Sequence, residues 1–204
     1  MLVKICGIQT DQAAEAAVTA GADFIGFVFA DSKRRVNPKV AAEIGTHLPP
    51  TIKKVGVFVN ETKETMEQIA EEVNLDYIQL HGDEPASLAR ELSYPIIKAF
   101  SVGDGNVEEM KDYPCDYYLL DSPVGRYRGG NGKSFDWNLI KDLAFKPNNF
   151  LLAGGLTSEN VSQAIQEANP LGVDVSSGVE TLGKKDSEKI MKFIMNAKRK
   201  EAIK

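Results

Sequence analysis

Six short apolar runs in this chain of 204 residues end in groups suited to chemistry. LVKIC ends in Cys6-Gly7, FIGFVF leads into Ser32-Lys33-Arg34-Arg35, and DYIQL leads into His81-Gly82-Asp83. DYYLLD closes on Asp121, FLLAG on Gly154-Gly155, and GVDVS carries Asp174 and runs into Ser176-Ser177-Gly178. A cysteine such as Cys6 is a base or nucleophile when a neighbouring cation holds it as thiolate; otherwise it is a small buried hydrophobe. Asp121 suits a general acid if a low-dielectric setting raises its pKa, or it is a cap or loop ion pair. The planar fork of Arg34 matches a substrate carboxylate, although SKRR also reads as a solvated basic loop. His81 is either a ligand contact or a polar group satisfied under a loop. Two histidines and two distant cysteines offer no metal-ligand spacing, so no metal is expected.

The last two of these segments point to phosphate. Gly154-Gly155 lets backbone N–H groups approach an anion with no Cβ in the way. Thr157 and Ser158 are placed to cap the helix that follows, with Glu159 in its first turn. Ser176-Ser177-Gly178 adds hydroxyls and further N–H groups. Two such loops in succession form a phosphate site of the kind barrels build after their last two strands. The bland alternative is a pair of tight turns.

These groups need elements to hold them. Adding KVGVFV (54–59) and PIIKAF (95–100) to the six runs gives eight, each rich in Val, Ile, Phe and Tyr and too short for a buried helix. Between most of them lie stretches of helical periodicity, such as DQAAEAAVTAGA, ETKETMEQIAEEVN and SEKIMKFIMNAKRK. Continuous apolar runs alternating with helices mean parallel strands covered on both faces. The expectation is a (β/α)8 barrel as a single domain over residues 1–204, with an open doubly wound sheet as the alternative. Active groups belong at the C-terminal ends of barrel strands, where these lie. In the fifth unit SVGDGNVEEMKDYPC holds two Gly and a Pro, which predicts a weak helix or a loop. Cys115 precedes the sixth strand, at the other end, and reads as structural. The stretch 125–134 beside Asp121 reads as a lid or a plain surface loop. It is not a P-loop, because its glycines miss the GxxxxGK[ST] spacing.

Composition sets the outer limits. A net charge of −5 argues against nucleic acid as a partner. No apolar run approaches the ~20 residues that span a bilayer, and the N-terminus lacks the pattern of a signal peptide. Two cysteines are too few for a disulfide framework. A reduced cytoplasmic protein with a small phosphorylated substrate is expected. Monomer and homodimer both stay open.

The blocks just described carry a specific resemblance. Lys4-Ile5-Cys6-Gly7-Ile8, Gly26-Phe27-Val28-Phe29 with SKR after it, Val55-Gly56-Val57-Phe58-Val59-Asn60 and Gln79-Leu80-His81-Gly82-Asp83-Glu84 come in order. Leu120-Asp121, Gly129 to Trp137, Ala153-Gly154-Gly155-Leu156 and Val173-Asp174-Val175-Ser176-Ser177-Gly178-Val179-Glu180 follow. Together they resemble the phosphoribosylanthranilate isomerase family of tryptophan biosynthesis across nearly the whole chain. The resemblance implies a (β/α)8 barrel and an Amadori rearrangement of an aminoaldose to an aminoketose, with no cofactor. It implies Cys6 as general base, Asp121 as general acid and Arg34 on the anthranilate carboxylate. His81 and Asp174 become substrate contacts, and Gly154, Gly155, Ser176, Ser177 and Gly178 the phosphate site. Lys33 stands where the family often has Pro, which leaves Arg34 untouched. The rivals are the related aminoaldose isomerase of histidine biosynthesis, which resembles an Asp/Asp pair where this chain has Cys6 and Asp121, and a non-catalytic phosphosugar-binding barrel.

Overall fold

Alternation along each strand decides which side chains fill the barrel and which meet the helices. In the computed structural model, which describes residues 1–102, 110–121, 137, 140 and 148–199, eight parallel strands close on themselves in sequence order. They are β1 (Leu2–Cys6), β2 (Phe24–Val28), β3 (Lys53–Phe58), β4 (Tyr77–Leu80), β5 (Ile96–Ser101), β6 (Tyr117–Asp121), β7 (Phe150–Leu152) and β8 (Gly172–Val175). Pairing of Lys4 with Asp174 across β1 and β8 closes the ring.

Two hydrophobic layers result. One set of alternating residues, Phe24, Val55, Ile97, Leu119, Leu151 and Ala153, packs inside the barrel. Phe24, Tyr77 and Tyr117 close its N-terminal end, with ring centroids 5.8–6.0 Å apart. Such pairs add about 0.5–1.5 kcal/mol each beyond their burial. The larger set, including Ile5, Ile25, Phe27 and Ile78, faces the helices.

The helices are α1 (Asp11–Ala20), α2 (Pro38–Thr46), α3 (Lys63–Val73), α4 (Ala86–Glu91), α5 (Val161–Ala168) and α6 (Ser187–Lys198). Their ends follow local chemistry. Thr10 caps α1 by accepting from the Ala13 amide, and Gly21 ends it in the left-handed region at φ 92°. Asp186 caps α6 by accepting from the Glu188 and Lys189 amides. The expected cap of the seventh unit is corrected: α5 starts at Val161 with Asn160 at its N-cap position, and Thr157 instead accepts from the Glu159 amide in the turn before it. The helix of the fifth unit is weak, as expected. Among the described residues between β5 and β6, only Met110 and Lys111 are helical. The segment 125–134, the proposed lid, lies outside the described residues.

Three aspartates just before strand starts do a repeated job. Asp23, Asp76 and Asp116 stand one residue before β2, β4 and β6. Each accepts, at 2.8 Å, the amide N–H of the neighbouring odd-numbered strand, at Val3, Lys54 and Ile96 respectively. Those amides would otherwise be unpaired at the barrel's lower rim.

Candidate active site

A cavity of about 750 Å³ opens at the C-terminal ends of the strands. Cys6, Arg34, His81, Asp121, Asp174, Gly154, Gly155, Ser176 and Ser177 all line it. Of the expected site residues only Gly178 does not. It sits in a 3-10 turn, Ser177–Val179, pressed on the backbone at Leu156, where any Cβ would collide with the Leu156 carbonyl. Its observed contact is with loop 7, so glycine at this position lets the loops after β7 and β8 pack together.

Cys6 ends β1 on the inner face, two residues after Lys4, so both side chains point into the barrel. Lys4 is wholly buried and donates to Asp174 at 2.8 Å. Burial pulls the lysine down, but Asp174 and the thiol outweigh it and hold the ammonium charged. Burial pushes the Cys6 thiol up, while Lys4 and Lys185 act against that rise. Cys115, which lies outside the cavity, is pushed up to about 12 by burial.

Asp121 enters from the opposite side of the ring at the end of β6. His81 faces it, Nε2 lying 3.5 Å from Asp121 Oδ2. The other ring nitrogen, Nδ1, is 2.9 Å from the Gln79 carboxamide nitrogen. With that amide donating, Nδ1 is the acceptor and Nε2 is the nitrogen that carries the proton. The loop that carries His81 is anchored beneath. Glu84 accepts from the amides of Asn60 and Gly82, and buried Lys98 bridges Glu84 Oε2 and the Gly82 carbonyl at 2.8 and 2.7 Å.

Arg34 is held by a group the sequence reading did not single out. Glu180 takes its Nε and Nη2 protons side by side. That edge of the guanidinium is occupied, so the five N–H donors leave Nη1 and the second Nη2 proton to face a ligand. Lys185 donates to the same Glu180 carboxylate at 2.9 Å and to the Ser176 carbonyl at 2.9 Å. Ser176 Oγ in turn donates to the Cys6 carbonyl at 3.1 Å. One hydrogen-bonded chain thus joins the loops after β1, β2 and β8. Glu180 and Lys185 sit on a two-stranded hairpin, β9 (Glu180–Thr181) and β10 (Lys184–Lys185).

At the far end Gly154 and Gly155 both adopt positive φ, 85° and 63°, which a side chain would oppose. Asn160 ties this loop down by donating to the Gly155 carbonyl at 3.0 Å and accepting from the Thr157 amide at 2.7 Å.

Comparison with known proteins agrees with this geometry. Residues 3–196 match the family described as N-(5'-phosphoribosyl)anthranilate (PRA) isomerase. The N-(5'-phosphoribosyl)anthranilate isomerase of Oceanobacillus iheyensis is 50% identical over 204 residues, the full length of both chains. The chain belongs to this isomerase family. The crystal structure of the Thermotoga maritima family member superposes with a TM-score of 0.85 at 43% identity, covering 97% of this chain and 99% of that one. A further solved family member is in complex with reduced 1-(o-carboxyphenylamino)-1-deoxyribulose 5-phosphate. It superposes at 0.84, with 42% identity over 97% of this chain and 98% of that one.

In this isomerase-family chain Lys4, Gln79 and Glu180 fall inside the blocks of resemblance with no role attached to them, and Lys185 lies outside those blocks. Lys4 carried the one available signal, a charge at an inward position two residues from Cys6. No helix among the described residues is long and apolar enough to cross a membrane.

Proposed function

We propose that the chain converts N-(5-phosphoribosyl)anthranilate to 1-(2-carboxyphenylamino)-1-deoxyribulose 5-phosphate by general acid–base catalysis. The observation that carries the reading is the placement of Cys6 and Asp121 on one cavity whose rim also holds Gly154, Gly155 and Ser176.

Asp121, as the acid, gives a proton to the furanose ring oxygen. The C1′–O bond breaks and the nitrogen lone pair forms a protonated Schiff base. Cys6, as thiolate, takes the C2′ proton, and the C2′–H electron pair becomes the C1′=C2′ double bond of an enolamine. Proton gain at C1′ and loss from the C2′ hydroxyl then give the ketone. Each positioned proton transfer contributes roughly 10²–10⁴-fold. The substrate nitrogen is the electron sink, so the scheme calls for neither metal nor organic cofactor.

Binding energy comes from the two ends of the substrate. The amides of Gly154 and Gly155 with the Ser177 hydroxyl take the phosphate beside Ser176, whose own hydroxyl proton lies on the Cys6 carbonyl, and the unoccupied edge of Arg34 takes the anthranilate carboxylate. His81 and Asp174 contact the sugar between them. Anchoring both ends fixes the reacting carbons between acid and base. We infer that residues 1–204 act as one barrel domain in the cytoplasm.

The test is loss of anthranilate-ribotide fluorescence on adding the purified full chain, run beside the aminoaldose intermediate of histidine biosynthesis. Turnover of the first substrate is expected. Turnover of the second alone, or of neither, overturns the reading.

A further inference from the structure

Among the described residues Lys4 is one of the largest side chains with no exposed surface, and it lies inside the barrel. Burying an ammonium–carboxylate pair such as Lys4–Asp174 commonly adds no stability over apolar packing. Stability alone therefore does not account for a lysine at this point. Its position does more. Gly26 on β2 lies beside both groups, and a methyl group placed there would sit 3.0 Å from Cys6 Sγ and 3.1 Å from Lys4 Nζ. The ammonium and the thiol thus converge over a glycine, within about 6 Å of each other.

We propose that Lys4 is a positioning residue for Cys6: its ammonium, fixed by Asp174 and given room by Gly26, faces the sulfur and stabilises the thiolate. This rests on the reading of Cys6 as the base. The charged groups reaching the thiol are Lys4 on its own strand, Asp174 from β8 and Lys185 from β10, and β2 presents only Gly26. Asp174 disfavours the thiolate, so its pairing with Lys4 also mutes an opposing charge. Lys185 is committed to Glu180 and Ser176, which leaves Lys4 as the cation that Asp174 holds beside the sulfur.

The test follows ultraviolet thiolate absorbance against pH in full-length protein carrying Cys115→Ser, so that Cys6 is the one cysteine that titrates, with Cys6→Ala in the same background subtracting the tyrosines. An opposite charge at this range moves a titration by about one to three pH units. Lys4→Met should raise the midpoint by that amount and move the acid limb of the kcat–pH profile upward in step. KM should change by less than about threefold. Gly26→Ala keeps every charge but wedges a methyl between the two groups. It should move the midpoint in the same direction by less, and it serves if Lys4→Met fails to fold. An unmoved midpoint in Lys4→Met, or in Gly26→Ala if only that variant folds, overturns the proposal. Near-parent kcat in Cys6→Ala would instead overturn the role of Cys6 beneath it, whatever the titration shows.

Discussion

Arg34 and Glu180 meet edge to edge, with Nε 2.6 Å from Oε1 and Nη2 3.1 Å from Oε2. Two parallel bonds fix the plane of the guanidinium as well as its place. Because Lys185 shares the carboxylate and reaches Ser176, Glu180 sets the anchors for both ends of the substrate at once. Glu180→Gln should therefore raise KM by about tenfold or more while lowering kcat less. Steady-state kinetics decides it, and an unchanged KM would mean that Arg34 is held by its loop alone.

The same pair predicts a pH dependence. Burial raises the Glu180 carboxyl, but Arg34 and Lys185 more than offset it and hold it down to about 2. A depressed carboxylate stabilises the fold above its unfolded pKa, here an ordinary ~4.3, and that contribution is lost as pH falls toward about 2. The thermal midpoints of parent and Glu180→Gln should accordingly converge across that window. A gap that stays constant from neutral pH to about pH 2 would contradict the pairing.

Lys98 is the buried partner of Glu84, beneath the His81 loop. Lys98→Met removes the cation that pairs with Glu84 among the described residues, which costs about 3–5 kcal/mol. Denaturant unfolding measures this, and a loss under about 1 kcal/mol would show that the amides of Asn60 and Gly82 suffice for Glu84.

Much of this architecture was legible in advance, because parallel barrel strands are apolar on both faces and announce themselves as short runs. The active ends were legible too, since Cys6, Asp121, Gly154 and Ser176 follow or close those runs. What stayed hidden has physical causes. Lys4 sits inside an apolar run, and only the barrel's alternation shows that it points inward with Cys6. Glu180 and Lys185 depend on a hairpin whose turn, Leu182-Gly183, lacks the usual Asn-Gly signature. Thr157 does not cap α5 because it engages the turn before the helix, and Asn160 holds the N-cap position with its side chain turned to the loop.

That turn supplies another prediction. Leu182 is almost fully exposed and adopts φ 50°, next to Gly183 at 78°. A left-handed conformation costs an ordinary L-residue roughly 1–2 kcal/mol, and Asn tolerates it better. Leu182→Asn should stabilise the protein by about 0.5–1 kcal/mol, seen as a raised Tm with unchanged kcat. A lowered Tm would show that Leu182 makes a stabilising contact.

The proposed catalysis rests on the division of labour between Cys6 and Asp121. The decisive measurement is kcat for Cys6→Ala and Asp121→Asn in the fluorescence assay, with circular dichroism confirming the fold. Both variants should lose about 10²–10⁴-fold in kcat with native-like spectra. A folded variant of either that keeps near-parent kcat would contradict the assignment of base and acid.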